Sequence, residues 1–64
     1  MNEIECIEIM FNFISTTGEC NSHSLNEGGV TCIDEDNGKA VVYFVDGDVE
    51  YIYNVHHAIY REIK

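Results

Sequence analysis

The sequence predicts an α+β fold: an N-terminal helix packed on a three-stranded antiparallel meander, with a short C-terminal helix. Three observations predict it. Polar residues recur at steps of three and four near the start. Two dipeptides typical of tight hairpins divide a β-prone stretch. Apolar residues four apart recur in the tail. A single domain over residues 1–64 is expected, because so short a chain buries only about 60% of the surface its unfolded form exposes.

Residues 2–16 read as an amphipathic helix. Glu5, Glu8, Asn12 and Ser15 form one polar stripe, and Ile4, Cys6, Ile7, Met10, Phe11, Phe13 and Ile14 cover the rest. Asn2 with Glu5 has the form of a capping box, and early glutamates suit the positive end of a helix dipole. Gly18 is placed to end the helix. The rival is a strand, since Ile7, Ile9, Phe11 and Phe13 alternate, but that alternation fails at Glu3 and Glu5. Residues 17–29, rich in Gly, Asn and Ser, read as a long loop.

The meander is expected over residues 30–54. Its strands are Val30 to Asp34, Ala40 to Val45 and Val49 to Tyr53, separated by Asn37-Gly38 and Asp46-Gly47. In the tail, His56 to Ile63 reads as a short helix on the spacing of Ile59 and Ile63, capped by Asn54; a further strand is the alternative.

Turn length sets register, and register sets faces. Two-residue turns at both dipeptides pair Ile33 with Val42, Thr31 with Phe44, Phe44 with Val49, Val42 with Tyr51 and Ala40 with Tyr53. One face then carries these residues and packs on the N-terminal helix. The other carries Val30, Cys32, Val41, Tyr43, Val45 and Ile52 with Asp34, Asp48 and Glu50. The second helix covers that face, or it is an interface.

Charge narrows the function classes. Twelve acids against three bases give a net charge of −9. Direct nucleic-acid binding needs a basic patch, and only Lys39, Arg61 and Lys64 are present, so it is not expected. A basic protein surface matches the charge. No segment reaches the length of a membrane span, and no positive n-region marks a secretory signal. Three cysteines are too few for a disulfide scaffold, so a reducing cytoplasm is expected.

Chemical sites are sparse. Cys20 and His23 have C-x-x-H spacing, and His56, His57, Cys32 and Cys6 could add ligands, but no second two-ligand element matches the first. Asp34 to Gly38 resembles part of a calcium loop, yet Phe44 stands where that pattern needs Glu. No metal, other cofactor or enzymatic activity is therefore expected. Six of the twelve acids fall between Asp34 and Glu50. The candidate partner contacts are Asp34, Glu35, Asp36, Asp46, Asp48 and Glu50, with Tyr43 as an apolar anchor.

The stretch from Cys32 to Tyr60 resembles the KTSC domain, a small module. The resemblance is carried by Val41-x-Tyr43-Phe44, Asp46-Gly47, Tyr51-x-Tyr53, Val55 and Tyr60. It implies a strand–turn–strand–turn–strand followed by a helix bearing the tyrosine. His56 stands where the family has Pro, and no Ser/Gly-containing extension follows the tail. The family's suggested nucleic-acid role conflicts with the charge, so the resemblance implies topology alone. In composition the chain is also similar to small acidic phage-encoded inhibitors, including DNA mimics. The expected function is a non-catalytic protein that binds a basic, nucleic-acid-binding surface of a protein partner. The alternatives are an assembly module that homodimerises through the second sheet face and a small metal-binding module.

Overall fold

β-branched and aromatic residues recur at both ends of this chain, and such residues suit a pleated, half-buried surface. The computed structural model describes residues 3–12 and 20–63, and there the chain is all-β. In order the strands are β1 (Glu3–Asn12), β2 (Cys20–Ser24), β3 (Val30–Asp36), β4 (Lys39–Phe44), β5 (Val49–Ile52) and β6 (Val55–Ile63). They form two antiparallel three-stranded sheets, ordered β2-β1-β6 and β3-β4-β5. The expected α+β class is therefore corrected to all-β. The meander over residues 30–54 is present.

The N-terminal helix is replaced by β1, and the reason is a bulge. The register on β6 shifts between Cys6 and Glu8. Before the shift Cys6 faces the core; after it, Ile9 and Phe11 do. A bulge inserts one residue and so reverses the parity of alternation. Cys6, at an even position, is buried before Ile7, and the odd positions Ile9 and Phe11 are buried after it. That break makes the simple alternation fail at Glu3 and Glu5 and mimics a helical stripe. The extra residue is also held: the Leu25 amide donates to the Ile7 carbonyl at 2.7 Å. Residues 2 and 13–16 of the expected helix, and Gly18, lie outside the described residues.

Two further corrections follow from pairing. Part of the expected loop is β2, whose Cys20 to Ser24 lie opposite Asn12 to Glu8. The expected C-terminal helix is β6, which pairs with β1 from Glu3↔Ile63 to Phe11↔Val55. Ile59 and Ile63 share a helical face at four apart, but they share a strand face equally well at an even spacing. A long partner strand decides between the two, because tertiary pairing overrides a short local pattern.

The core lies between the sheets. Its buried residues are Cys6, Ile9 and Phe11 from the first sheet and Val30, Ile33, Ala40, Val42 and Ile52 from the second. Leu25, Phe44, Val55 and Ala58 pack partly against it. No polar or charged side chain is buried among the described residues. No helix is long and apolar enough to cross a membrane among them.

Candidate functional site: the outer face of the second sheet

The two hairpins differ, and the difference decides which side chains face outward. At Asn37-Gly38 both central residues have positive φ, 55° and 85°, as a two-residue type I′ turn requires. Pairs Asp36↔Lys39 to Ile33↔Val42 follow in the expected register. A bulge then intervenes, so Val30 lies opposite Phe44 in place of Thr31. Val30 becomes 2% exposed core, and Thr31 is turned outward, its hydroxyl donating to the Tyr43 carbonyl at 3.2 Å.

At Asp46-Gly47 the loop has three residues, Val45, Asp46 and Gly47. The Phe44 amide donates to the Asp48 carbonyl at 2.9 Å, and the Gly47 amide to the Phe44 carbonyl at 3.0 Å. Gly47 adopts φ 94°, in the left-handed region this hairpin type places at its last loop position. The observed pairs are Tyr43↔Val49, Val42↔Glu50, Val41↔Tyr51 and Ala40↔Ile52. This is one residue off the expected register, and a one-residue slip turns every side chain of the strand over. Ile52, expected outside, is buried at 6% exposure, whereas Val49, Tyr51 and Tyr53, expected inside, are exposed at 42%, 64% and 68%.

The outer face of the second sheet is thus organised in rows across its strands. One row is Cys32, Tyr43 and Val49; the next is Asp34, Val41 and Tyr51; a third pairs Asp36 with Lys39. Asp34 and Asp36 are exposed on β3, at one edge, and Tyr53 follows β5 at the other. No described element covers this face, since the helix expected to do so is β6 in the opposite sheet.

The structure gathers some of the sequence-predicted contacts and separates others. Asp34, Asp36 and Tyr43 share the outer face. Asp46 and Asp48 lie at the adjoining hairpin, where the Asp46 carboxylate accepts the Asp48 amide at 2.9 Å. Glu50 turns the other way and reaches the first sheet, where its Oε2 lies 2.8 Å from His23 Nε2. The His23 ring also stacks on Phe11 at 5.5 Å and meets the edge of Phe44 at 5.6 Å. Glu35 points inward too and accepts the Tyr60 hydroxyl and, at 3.4 Å, the Gly38 amide. Glu35 and Glu50 therefore fasten the two sheets together rather than line the outer face. Val49, Tyr51 and Tyr53 are the face residues missed from sequence, and for the two tyrosines a signal was present. The signal for them was the single aliphatic between two tyrosines: a small core takes Ile52 more cheaply than two phenol hydroxyls that need partners.

Near the same edge, the sandwich opens into a cleft of about 550 Å³ between β1, β3 and β6. Glu35 and Tyr60 line it, with Cys6 at its base. The Glu35 carboxylate pushes the Tyr60 hydroxyl up to about 12 from its ordinary value near 10. Burial raises the Cys6 thiol, and the Glu35 charge adds to that. Cys20 and Cys32 are exposed, and all three thiols are free. The Cys20 thiol donates to Asn12 Oδ1 at 3.1 Å, and His23 is engaged by Glu50. Among the described residues no three His, Cys, Asp or Glu side chains come together to hold a metal ion. No protein-family model, curated protein or solved structure matches this chain.

Proposed function

We propose that this chain is a non-catalytic binding protein that engages a basic surface of a protein partner through the outer face of β3-β4-β5. Its concrete form is a host-directed inhibitor of the phage type, a DNA mimic that occupies a nucleic-acid-binding surface in the cytoplasm. The observation that carries this reading is the juxtaposition of Tyr43, Val49 and Tyr51 with Asp34 and Asp36 on one uncovered face. Tyrosines supply large contact area at low entropic cost and suit the centre of an interface. Carboxylates at the rim steer a basic partner and fix its orientation, with −9 of net charge behind them. Self-association through this face is disfavoured, because it would set the acidic hairpins of two copies against each other.

The test is capture from a cell lysate on the immobilised chain, in low and high salt. The expected result is a discrete protein that is released by salt, displaced by duplex DNA and lost with Tyr51→Ala plus Asp34→Lys. Retention that ignores salt and the double substitution would refute the reading.

A further inference from the structure

The four strand edges of the two sheets are not equally protected. Edges are templates for pairing, and proteins guard them by shortness or charge. The β2 edge has five residues and the β5 edge four. The β3 edge carries Asp34, Glu35 and Asp36 in succession. The β6 edge has nine residues and no proline. It pairs with β1 on one side only, and no described strand lies on its other side. Beyond β1 it is fastened at its start, where the Val55 amide donates to the Gly38 carbonyl at 3.1 Å, and at Tyr60, whose hydroxyl donates to Glu35. Arg61 is turned back to Glu5 at 3.0 Å, leaving its charge answered within the sheet.

The cleft between β6 and β3 opens beside this edge. Ile4 and Ile33 supply apolar wall, and Glu35, which points inward, brings its carboxylate to it, with Glu5 and Asp34 at the rim. An added strand lies about 4.8 Å from β6 and sends alternate side chains toward one face. Those on the inner face meet the cleft. A side chain with an aliphatic stem and a cationic head matches it, the stem against the isoleucines and the head at Glu35.

We infer that the β6 edge is a β-augmentation site for an extended segment of a partner with Lys or Arg at alternate positions. The ladder gives affinity and the cleft selects the basic side chain. A second copy of this chain is a poorer occupant. Its β6 brings one arginine, already paired, and its approach sets two −9 chains together. This inference shares with the proposed function only the sign of the partner, and it uses a different surface.

The probe is a synthetic octapeptide of alternating Thr and Lys, titrated into the isotope-labelled full chain and followed by NMR. Two control peptides accompany it: one with Glu for Lys, and one N-methylated at alternate backbone amides, which keeps the charge but loses ladder donors. Amide shifts are expected to concentrate at Ala58 to Ile63 and Cys32 to Glu35. The N-methylated peptide should bind about tenfold more weakly, the Glu peptide should not bind, and Glu35→Gln should weaken binding several-fold. Equal binding of the N-methylated peptide, or shifts confined to Tyr43, Val49 and Tyr51, would overturn the inference. So would shifts at the β6 amides that grow with protein concentration alone, since a second copy then occupies the edge. Tyr51→Ala leaves this binding unchanged, so failure here and failure of the proposed function read out separately.

Discussion

Side chains at the rim of the sandwich set its chemistry. Cys6 is 6% exposed and its thiol is raised by burial, whereas Cys20 and Cys32 are exposed. Iodoacetamide at neutral pH should therefore modify two thiols quickly and Cys6 only after denaturation, counted by mass spectrometry. Tyr60 is held protonated by its hydrogen bond to Glu35. Because its folded value is raised, its contribution to stability is complete below about pH 10 and is lost as pH rises through about 12. The tyrosinate absorbance difference between wild type and Tyr60→Phe should show this late ionisation. Glu35→Gln should bring it back toward the ordinary value; an unchanged midpoint would show that Glu35 is not its cause. In the core, Ile9 is fully buried, and Ile9→Ala should cost about 2–5 kcal/mol. A chain this small has only a few kcal/mol of net stability, so urea unfolding should find that variant largely unfolded at room temperature.

Strands and turns show where local pattern was sufficient and where it was not. The meander was legible because Asn37-Gly38 and Asp46-Gly47 are turn chemistry, a property of the dipeptides themselves. The faces were legible as far as Ile33 and Val42, where a two-residue turn carries the register. They were lost at β5, because Asp-Gly serves a two-residue and a three-residue loop equally, and one residue inverts the strand. Helices were expected at both ends for the same reason in different form: bulges at Ile7 in β1 and near His56 in β6 break the period-two pattern. Of the candidate site, Asp34, Asp36 and Tyr43 were legible, while Tyr51 and the inward turn of Glu35 and Glu50 were not. The observed register is testable by charge. Ile52→Asp should unfold the domain, costing about 3 kcal/mol or more for a buried unpaired carboxylate, while Tyr51→Asp should shift stability by only about 0.5 kcal/mol. The sequence-derived register demands the reverse order. At the first hairpin, a Cβ on Gly38 meets no atom, yet its φ of 85° is left-handed. Gly38→Ala should therefore cost about 1–2 kcal/mol in urea unfolding through conformation alone.

At the scale of the whole molecule, the inner faces and the outer face of the second sheet do different work. Between the sheets, eight buried apolar residues among those described and the His23–Glu50 and Tyr60–Glu35 contacts hold the sandwich together. Outside, acids are spread over β1, β3 and the second hairpin, so the molecule presents negative potential on several sides. Charge alone would bind any basic surface weakly. In the proposed function, the tyrosine-bearing face adds the apolar centre that would let one partner be chosen over others. The measurement that tests this most directly compares wild type with the triple variant Tyr43→Ala, Tyr51→Ala and Asp34→Asn, immobilised in equal amounts in one lysate. Circular dichroism first confirms that both are folded. The account predicts that wild type retains a salt-released, DNA-displaced protein and that the triple variant, which loses only one of twelve acids, does not. Equal retention by the two would show that charge without this face is sufficient, and would contradict it.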